Sequence, residues 1–230
     1  IYPIENAFIS GGLFLDRKAE LIIKNVHDEG VVRFSLNGLD PDTTSSVYQG
    51  PVEINSTTVV KAAIFDRNKK ISEVSTAYFR TLTGEANKKG VEFSYFNIDK
   101  VKEIPKLSSL KPLKKGFIHE FNLSEINFPE KDYVAVRLRS KIKIEYPGEY
   151  IFYVASDDGS KLYIDQKNIV NNDGAHGVLE RSGRTNLEVG FHDLEIEWFN
   201  AEGGYFLAAF YKGPNTPKQL LPADVLYLPN

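Results

Sequence analysis

The sequence contains neither cysteine nor methionine. Without cysteine the chain can form no disulfide, thiolate nucleophile, iron–sulfur cluster or cysteine zinc site. No segment approaches the roughly 20 consecutive apolar residues of a membrane-spanning helix, so we predict no membrane span. Because the chain begins at Ile1 and contains no methionine, we expect it to be a processed piece of a longer protein.

An excess of positive charge is absent too. The 28 basic and 31 acidic residues give a formal net charge of -3. This balance argues against nucleic acid as a partner and against docking on anionic lipid. A hydrophobic fraction of 42% over 230 residues is ordinary for a folded chain of one or two domains.

Signatures of catalysis are also missing. None of the four histidines has a neighbour at metal-site spacing: His27, His119, His176 and His192. The chain has no Gly-x-Ser-x-Gly elbow and no phosphate-binding glycine loop. We therefore predict that this chain by itself is not an enzyme.

Apolar and polar residues alternate with period two in much of the chain. In residues 134–144 the apolar side chains share one face, and basic side chains occupy the other: Arg137, Arg139, Lys141 and Lys143. This pattern predicts a half-buried strand with a solvated basic face, and a basic binding stripe is the alternative. Further strand-like segments are 59–65, 150–155, 192–198 and 205–211. Frequent glycine turns separate them without any helical period, which predicts an all-β fold of sandwiches or barrels.

A polar, glycine-flanked segment divides the chain. Residues 83–89 have the composition of a linker, so we predict domains at 1–82 and 90–230. The first has the length of a small Ig-like sandwich, and the second is long enough for a larger one. The lysine- and proline-rich residues 99–116 are predicted to be a surface loop.

Adjacent carboxylates follow the apolar segment 150–155. Asp157 and Asp158 cannot both be buried without a positive partner, and calcium, which takes several oxygen ligands, is one such partner. A calcium ion with open coordination positions also takes vicinal sugar hydroxyls. The alternative is a hairpin turn in which Asp157 caps backbone amides.

A second polar cluster lies downstream at residues 171–177. Asn172 and Asp173 are calcium or hydroxyl ligands in principle, and His176 is a further candidate for sugar contact. The alternative is a turn whose side chains bond their own backbone. The two clusters form one site only if both loops reach the same edge of the sandwich.

Residues 90–230 resemble the PA14 domain, the lectin-like β-sandwich named after a fragment of anthrax protective antigen. The resemblance rests on motifs in the family's order: 147–152, 156–165, 172–177, 190–192 and 203–204, ending at 213–214. In sugar-binding members an Asp-Asp pair, often joined by a cis peptide, holds the calcium that coordinates the glycan, and Asp157 and Asp158 match it. The resemblance implies calcium as cofactor, with Asn172 or Asp173 as candidate for the family's asparagine ligand. Gln166 stands where a glycine usually follows the Ile-Asp turn.

Residues 1–82 resemble the fibronectin-III-associated Ig-like module that follows the catalytic barrel of chitobiase and β-N-acetylhexosaminidases. The matching segments are 34–41, 45–52 and 57–62. Together the two resemblances imply the C-terminal accessory region of a secreted bacterial glycoside hydrolase, located outside the cell or in the periplasm. Its partners would be a glycan and the parent's catalytic domain. The alternative is a structural module that packs against that domain and has no sugar affinity.

Overall fold

The computed structural model describes residues 10–14, 18–25, 29–82 and 86–229. These residues form β-strands and short 3-10 turns without an α-helix, which confirms the predicted all-β class. None of the described helical turns has the length and apolarity needed to cross a membrane. The chain divides into two compact units, Ile1–Gly84 and Glu85–Asn230.

The first unit has two sheets among its described residues. Its strands are β1 (Ser10–Phe14), β2 (Ala19–Leu21), β3 (Val31–Ser35), β4 (Ser46–Val47), β5 (Val52–Ile54), β6 (Thr58–Asp66), β7 (Lys69–Lys70) and β8 (Ser75–Thr81). One sheet has the order β1-β8-β6-β3-β4 with β7 beside β6, and the other pairs β2 with β5. Both sheets contribute to one small core: Ala19, Leu21, Phe34, Ile54, Val60 and Phe79.

The second unit has longer strands. They are β9 (Val91–Asn97), β10 (Lys114–Ile118), β11 (Val134–Ile144), β12 (Gly148–Asp157), β13 (Ser160–Ile164), β14 (Lys167–Asn172), β15 (Leu179–Leu187), β16 (Gly190–Asn200), β17 (Phe206–Gly213), β18 (Thr216–Leu220) and β19 (Leu226–Tyr227). The 3-10 turns are Ala86–Lys88, Leu107–Ser109, Leu123–Glu125 and Ala223–Val225. Within the described residues one sheet has the order β10-β9-β11-β16-β13-β14 with β19 beside β11, and the other has the order β15-β12-β17-β18.

Strand β11 shows how alternation in the sequence builds this unit. Its inward side chains Val136, Leu138 and Ile142 are fully buried between the two sheets. Its outward cations face carboxylates: Arg137 faces Glu195 and Glu197, Arg139 faces Glu92, Lys141 faces Asp193, and Lys143 faces Glu145. The basic side chains therefore belong to a mixed-charge face, which disfavours a basic binding stripe.

Two predicted loops differ from the structure. Of the linker 83–89, residues 83–85 lie outside the described residues, and the remainder joins the second unit. There Leu228 donates its N–H to the Lys88 carbonyl at 2.8 Å, and Lys89 pairs with Tyr227.

The predicted surface loop 99–116 is wrong at its end, where Lys114–Ile118 forms β10. Within the same segment Ile104 and Leu107 are buried in a small cluster with Phe199. The composition of this segment is dominated by lysine and proline, so it does not indicate that Ile104 and Leu107 are buried.

Candidate functional site

Three loops of the second unit meet at Asp158. This residue, 7% exposed, lies in the turn between β12 and β13. Its Oδ1 accepts the backbone N–H of His176, in the β14–β15 loop, at 2.8 Å. Its Oδ2 accepts the backbone N–H of Ala201, in the β16–β17 loop, at 2.8 Å. Both carboxylate oxygens are thus satisfied by backbone donors, and Asp158 links the three loops.

The neighbouring carboxylate of Asp157 has a different environment. Among the described residues none donates a hydrogen bond to it, and burial, together with the charge of Asp158, raises the pKa of Asp157 despite the opposing influence of His176. The backbone carbonyl of Asp157 accepts the indole N–H of Trp198 at 3.0 Å. The peptide bond between the two aspartates is cis, as the resemblance implies. Asp157 is therefore the member of the pair whose carboxylate lacks a hydrogen-bond donor in the described chain.

Asn172 lies close to this pair, at the end of β14. Its Nδ2 donates to Ser156 Oγ at 3.0 Å and to the Leu179 carbonyl at 2.9 Å, which fixes the orientation of the amide. Its Oδ1 is buried and accepts no hydrogen bond from the described part of the chain. A buried amide oxygen without a donor is uncommon and is a candidate ligand atom.

Asp173 is engaged in structural contacts. Its Oδ2 lies 2.5 Å from Lys161 Nζ, and its Oδ1 accepts the backbone N–H groups of Ile104 at 2.8 Å and Gly174 at 3.0 Å. These contacts tie the segment around Ile104 to the β14–β15 loop. They also place Lys161 on Asp173 rather than on the Asp157–Asp158 pair.

The imidazole of His176 folds back onto its own loop. Its Nδ1 lies 2.8 Å from the Gly177 carbonyl, and its Nε2 lies 3.0 Å from the Asn172 carbonyl. The contact of this residue with the aspartate pair runs through its backbone N–H. The ring thereby shapes the loop that presents that donor.

Asn200 is a further candidate that sequence reasoning missed. It is fully buried at the end of β16, and its Nδ2 donates to the Lys131 carbonyl at 2.8 Å. Its Oδ1, like that of Asn172, is buried without a partner among the described residues. The available signal was strand alternation: Trp198 points inward, so Asn200 occupies an inward position where an apolar residue is expected.

Residues 87–220 match the family model of the PA14 domain, which is more than half of the chain. The chain belongs to the PA14 domain family. In the first unit, residues 21–79 match the family model described as Fn3 associated.

Solved structures place this PA14 domain among proteins of the same fold. A PA14 sugar-binding domain from an RTX adhesin has a TM-score of 0.52 and 13% identity, covering 62% of this chain and 99% of that one. An anti-sigma factor domain-containing protein has a TM-score of 0.53 and 16% identity, covering 86% of this chain and 76% of that one. At these identities the likeness shows the fold alone.

A curated relative of the chain is the anti-sigma-I factor RsgI3 of Acetivibrio thermocellus. The two are 26% identical over 98 residues, which are 42% of this chain and 15% of the relative. The chain thus spans a small part of that relative's length. A glycoside hydrolase parent stays a prediction.

Asp157, Asn172 and Asn200 carry oxygen atoms of the kinds that calcium binds in proteins. Calcium takes carboxylate, amide and carbonyl oxygens. The Asp157 carboxylate accepts no hydrogen bond from the described residues, and neither do the buried amide oxygens of Asn172, which borders the pair, and Asn200, which precedes Ala201. The described residues contain no group of three or more His, Asp or Glu side chains suited to a metal, so amide and backbone oxygens would have to complete a shell. This donor set fits calcium better than zinc.

Proposed function

We propose that the chain is a non-catalytic carbohydrate-binding region whose PA14 domain binds glycan with calcium at Asp157. The glycan would bind at the three-loop end, the end of the domain where the loops of Asp158, His176 and Ala201 meet. The observation that carries the proposal is the contrast within the aspartate pair. Each carboxylate oxygen of Asp158 accepts a hydrogen bond from a backbone N–H. Asp157 is partly buried, its pKa is raised by that burial and by the charge of Asp158, and no described residue donates to its carboxylate. A cation supplies the partner that Asp157 lacks.

The residues around the ion take distinct roles in this proposal. Asp157 contributes a charged ligand, and Asn172 and Asn200 contribute buried amide oxygens. Asp158 holds the β14–β15 and β16–β17 loops on either side. Calcium, when bound, supplies open coordination positions for a pair of vicinal sugar hydroxyls.

A structural role without sugar affinity is the second candidate. It is favoured by the complete hydrogen bonding of Asp158 and by the Asp173–Lys161 ion pair, which stabilise the loops without any ligand. The two candidates differ in what Asp157 does, because only the glycan-binding role gives this carboxylate a partner.

The setting of the glycan-binding region is also a proposal. One of the structurally similar domains is named as sugar-binding and comes from an adhesin, which supports glycan binding outside the cell. The sequence resemblance favours a parent glycoside hydrolase. The relatives named as anti-sigma factors favour a second setting, in which a glycan-binding region is joined to a regulatory protein.

A glycan array probed with the whole chain tests the proposal. We expect binding in calcium, loss of binding in chelator, and loss of binding in Asp157→Asn. Glu145→Gln is the matched control, because Glu145 directly follows β11 at the strand's far end from the three loops and its carboxylate is 67% exposed. Binding that is equal in calcium and chelator contradicts the metal role, and no binding to any glycan favours the structural role.

A further inference from the structure

A cavity of about 530 Å³ opens on the outer face of the seven-stranded sheet. Its lining includes charged and polar residues from β11, β16, β13 and the β13–β14 turn: Arg139, Lys141, Asp193, Glu195, Tyr163 and Gln166. Their strand neighbours Leu138, Leu194 and Leu162 are buried in the core, so the side chains of the five strand residues share the opposite face. The cavity lies toward the Ile164 end of β13, about 13 Å along the strand from Ser160 at the three-loop end.

The charges in this cavity balance, but their hydrogen-bonding capacity is not filled. Lys141 Nζ lies 3.7 Å from Asp193 Oδ1, which is beyond hydrogen-bond distance. Glu195 Oε1 lies 3.5 Å from Arg137 Nε and accepts no hydrogen bond from the described residues. An ammonium donor and a carboxylate acceptor are therefore both available to a ligand.

The backbone conformation of Gln166, one of the lining residues, is unusual for a residue with a side chain. The two-residue turn between β13 and β14 has positive φ at both positions, 48° at Asp165 and 66° at Gln166. Such a turn favours glycine at its second position, because a side chain is strained there. This chain places a glutamine at the strained position, and the residue lines the cavity. A strained non-glycine residue beside a cavity points to a role for its side chain.

We propose that this cavity is a second binding site, which takes a neutral saccharide without calcium and without Asp157. Two cations and two carboxylates leave no net charge, so a charged ligand gains no net attraction. Interleaved donors and acceptors suit hydroxyl groups, since each hydroxyl both donates and accepts. The amide of Gln166 likewise offers both, and the volume is in the range of small-ligand pockets.

Nuclear magnetic resonance titration of the whole chain in chelator tests this site. The probes are four neutral disaccharides: maltose, cellobiose, lactose and N,N′-diacetylchitobiose. We expect at least one to shift the backbone amide signals of 163–166 and 193–195 while leaving those of 157–159 in place. Asp157→Asn should bind that probe as the wild type does, which separates this site from the calcium-dependent one.

The decisive variant is Gln166→Gly. It should raise the melting temperature, because it relaxes the turn, and weaken binding about tenfold, because it removes the amide. A purely structural residue would not move stability and affinity in opposite directions. Lys143→Ala is the matched control, since Lys143 lies two residues beyond Lys141 on the same face and outside the lining; it should bind as the wild type does.

Three results overturn the proposal. The first is the absence of shifts at 163–166 and 193–195 with all four disaccharides. The second is shifts confined to the three-loop end. The third is unchanged binding in both Gln166→Gly and Lys141→Ala, where the second variant removes the available ammonium donor. The amide spectrum of each variant shows whether it is folded.

Discussion

Replacing Asp158 by alanine should destabilise the second unit strongly even in the absence of any metal. The substitution removes the acceptor of two backbone N–H groups, those of His176 and Ala201, each at 2.8 Å. A hydrogen bond to a charged group contributes about 1.5–3 kcal/mol, so the two together predict a loss of about 3–6 kcal/mol. For a unit of this size that corresponds to a melting temperature lower by roughly 10–20 °C.

Asp157→Ala is the internal comparison for this experiment. Burial and the charge of Asp158 raise the pKa of Asp157, so its ionised form is less favourable in the folded state than in the unfolded state. Removing that charge in chelator at neutral pH should therefore be neutral or stabilising. Any advantage of Asp157→Ala over the wild type should shrink as the pH falls through the raised pKa, where Asp157 becomes protonated in the wild type and its cost disappears.

The assay is urea or thermal unfolding in chelator, followed by tryptophan fluorescence. Trp198 is the single tryptophan of the chain, and its indole donates to the backbone of Asp157, so the signal reports the second unit and this site. A loss for Asp158→Ala that is no larger than the loss for Asp157→Ala would refute the assignment of separate roles to the two carboxylates.

Three further predictions concern metal, pH and the β13–β14 turn. Calcium at a hundredfold excess over its Kd should raise the unfolding free energy by about 2.7 kcal/mol in a melt against chelator, and Asp157→Asn should abolish the gain; an unchanged wild-type midpoint rejects the metal. Burial opposes the charge on His192, but hydrogen bonds to Asp165 and to a backbone carbonyl outweigh it and raise the pKa of His192. The stability advantage of the wild type over His192→Gln should thus be full below about pH 6 and fall as the pH rises through that raised pKa, and a pH-independent difference in urea unfolding contradicts this. Gln166→Gly should raise the free energy of unfolding by roughly 0.5–1 kcal/mol, because the relieved backbone strain exceeds the added entropy of the unfolded chain. A lower urea midpoint contradicts this.

The strands were predictable because their signal is local. Residues 134–144 alternate in the sequence, and β11 has those bounds. The burial of Ile104 and Leu107 was not predictable in the same way, since their partner Phe199 is distant in the sequence. The composition of a short segment indicates only its average exposure to solvent. It cannot reveal a contact with a residue that is distant in the sequence.

The sequence indicates the residue types of the candidate site, but it does not indicate how the two carboxylates are hydrogen-bonded. Adjacent carboxylates after a strand indicate that a positive partner is required, and the sequence offers candidates for that partner. The partners of Asp158 are backbone N–H groups 18 and 43 residues further on, and every residue except proline has such a donor. Side-chain chemistry in the sequence therefore carries no trace of them.

The separate roles of the two carboxylates bear on how a ligand would bind. If both aspartates depended on an ion, the loops bearing His176 and Ala201 would lose their shared anchor whenever the ion left. Because backbone donors satisfy Asp158, its hydrogen bonds join the three loops without a metal, and the proposed cation concerns Asp157 alone. A ligand that binds to a preformed site does not incur the entropic cost of ordering loops. The structural contacts of Asp158 are therefore compatible with glycan binding at Asp157, since they hold in place the loops from which a ligand site would be built.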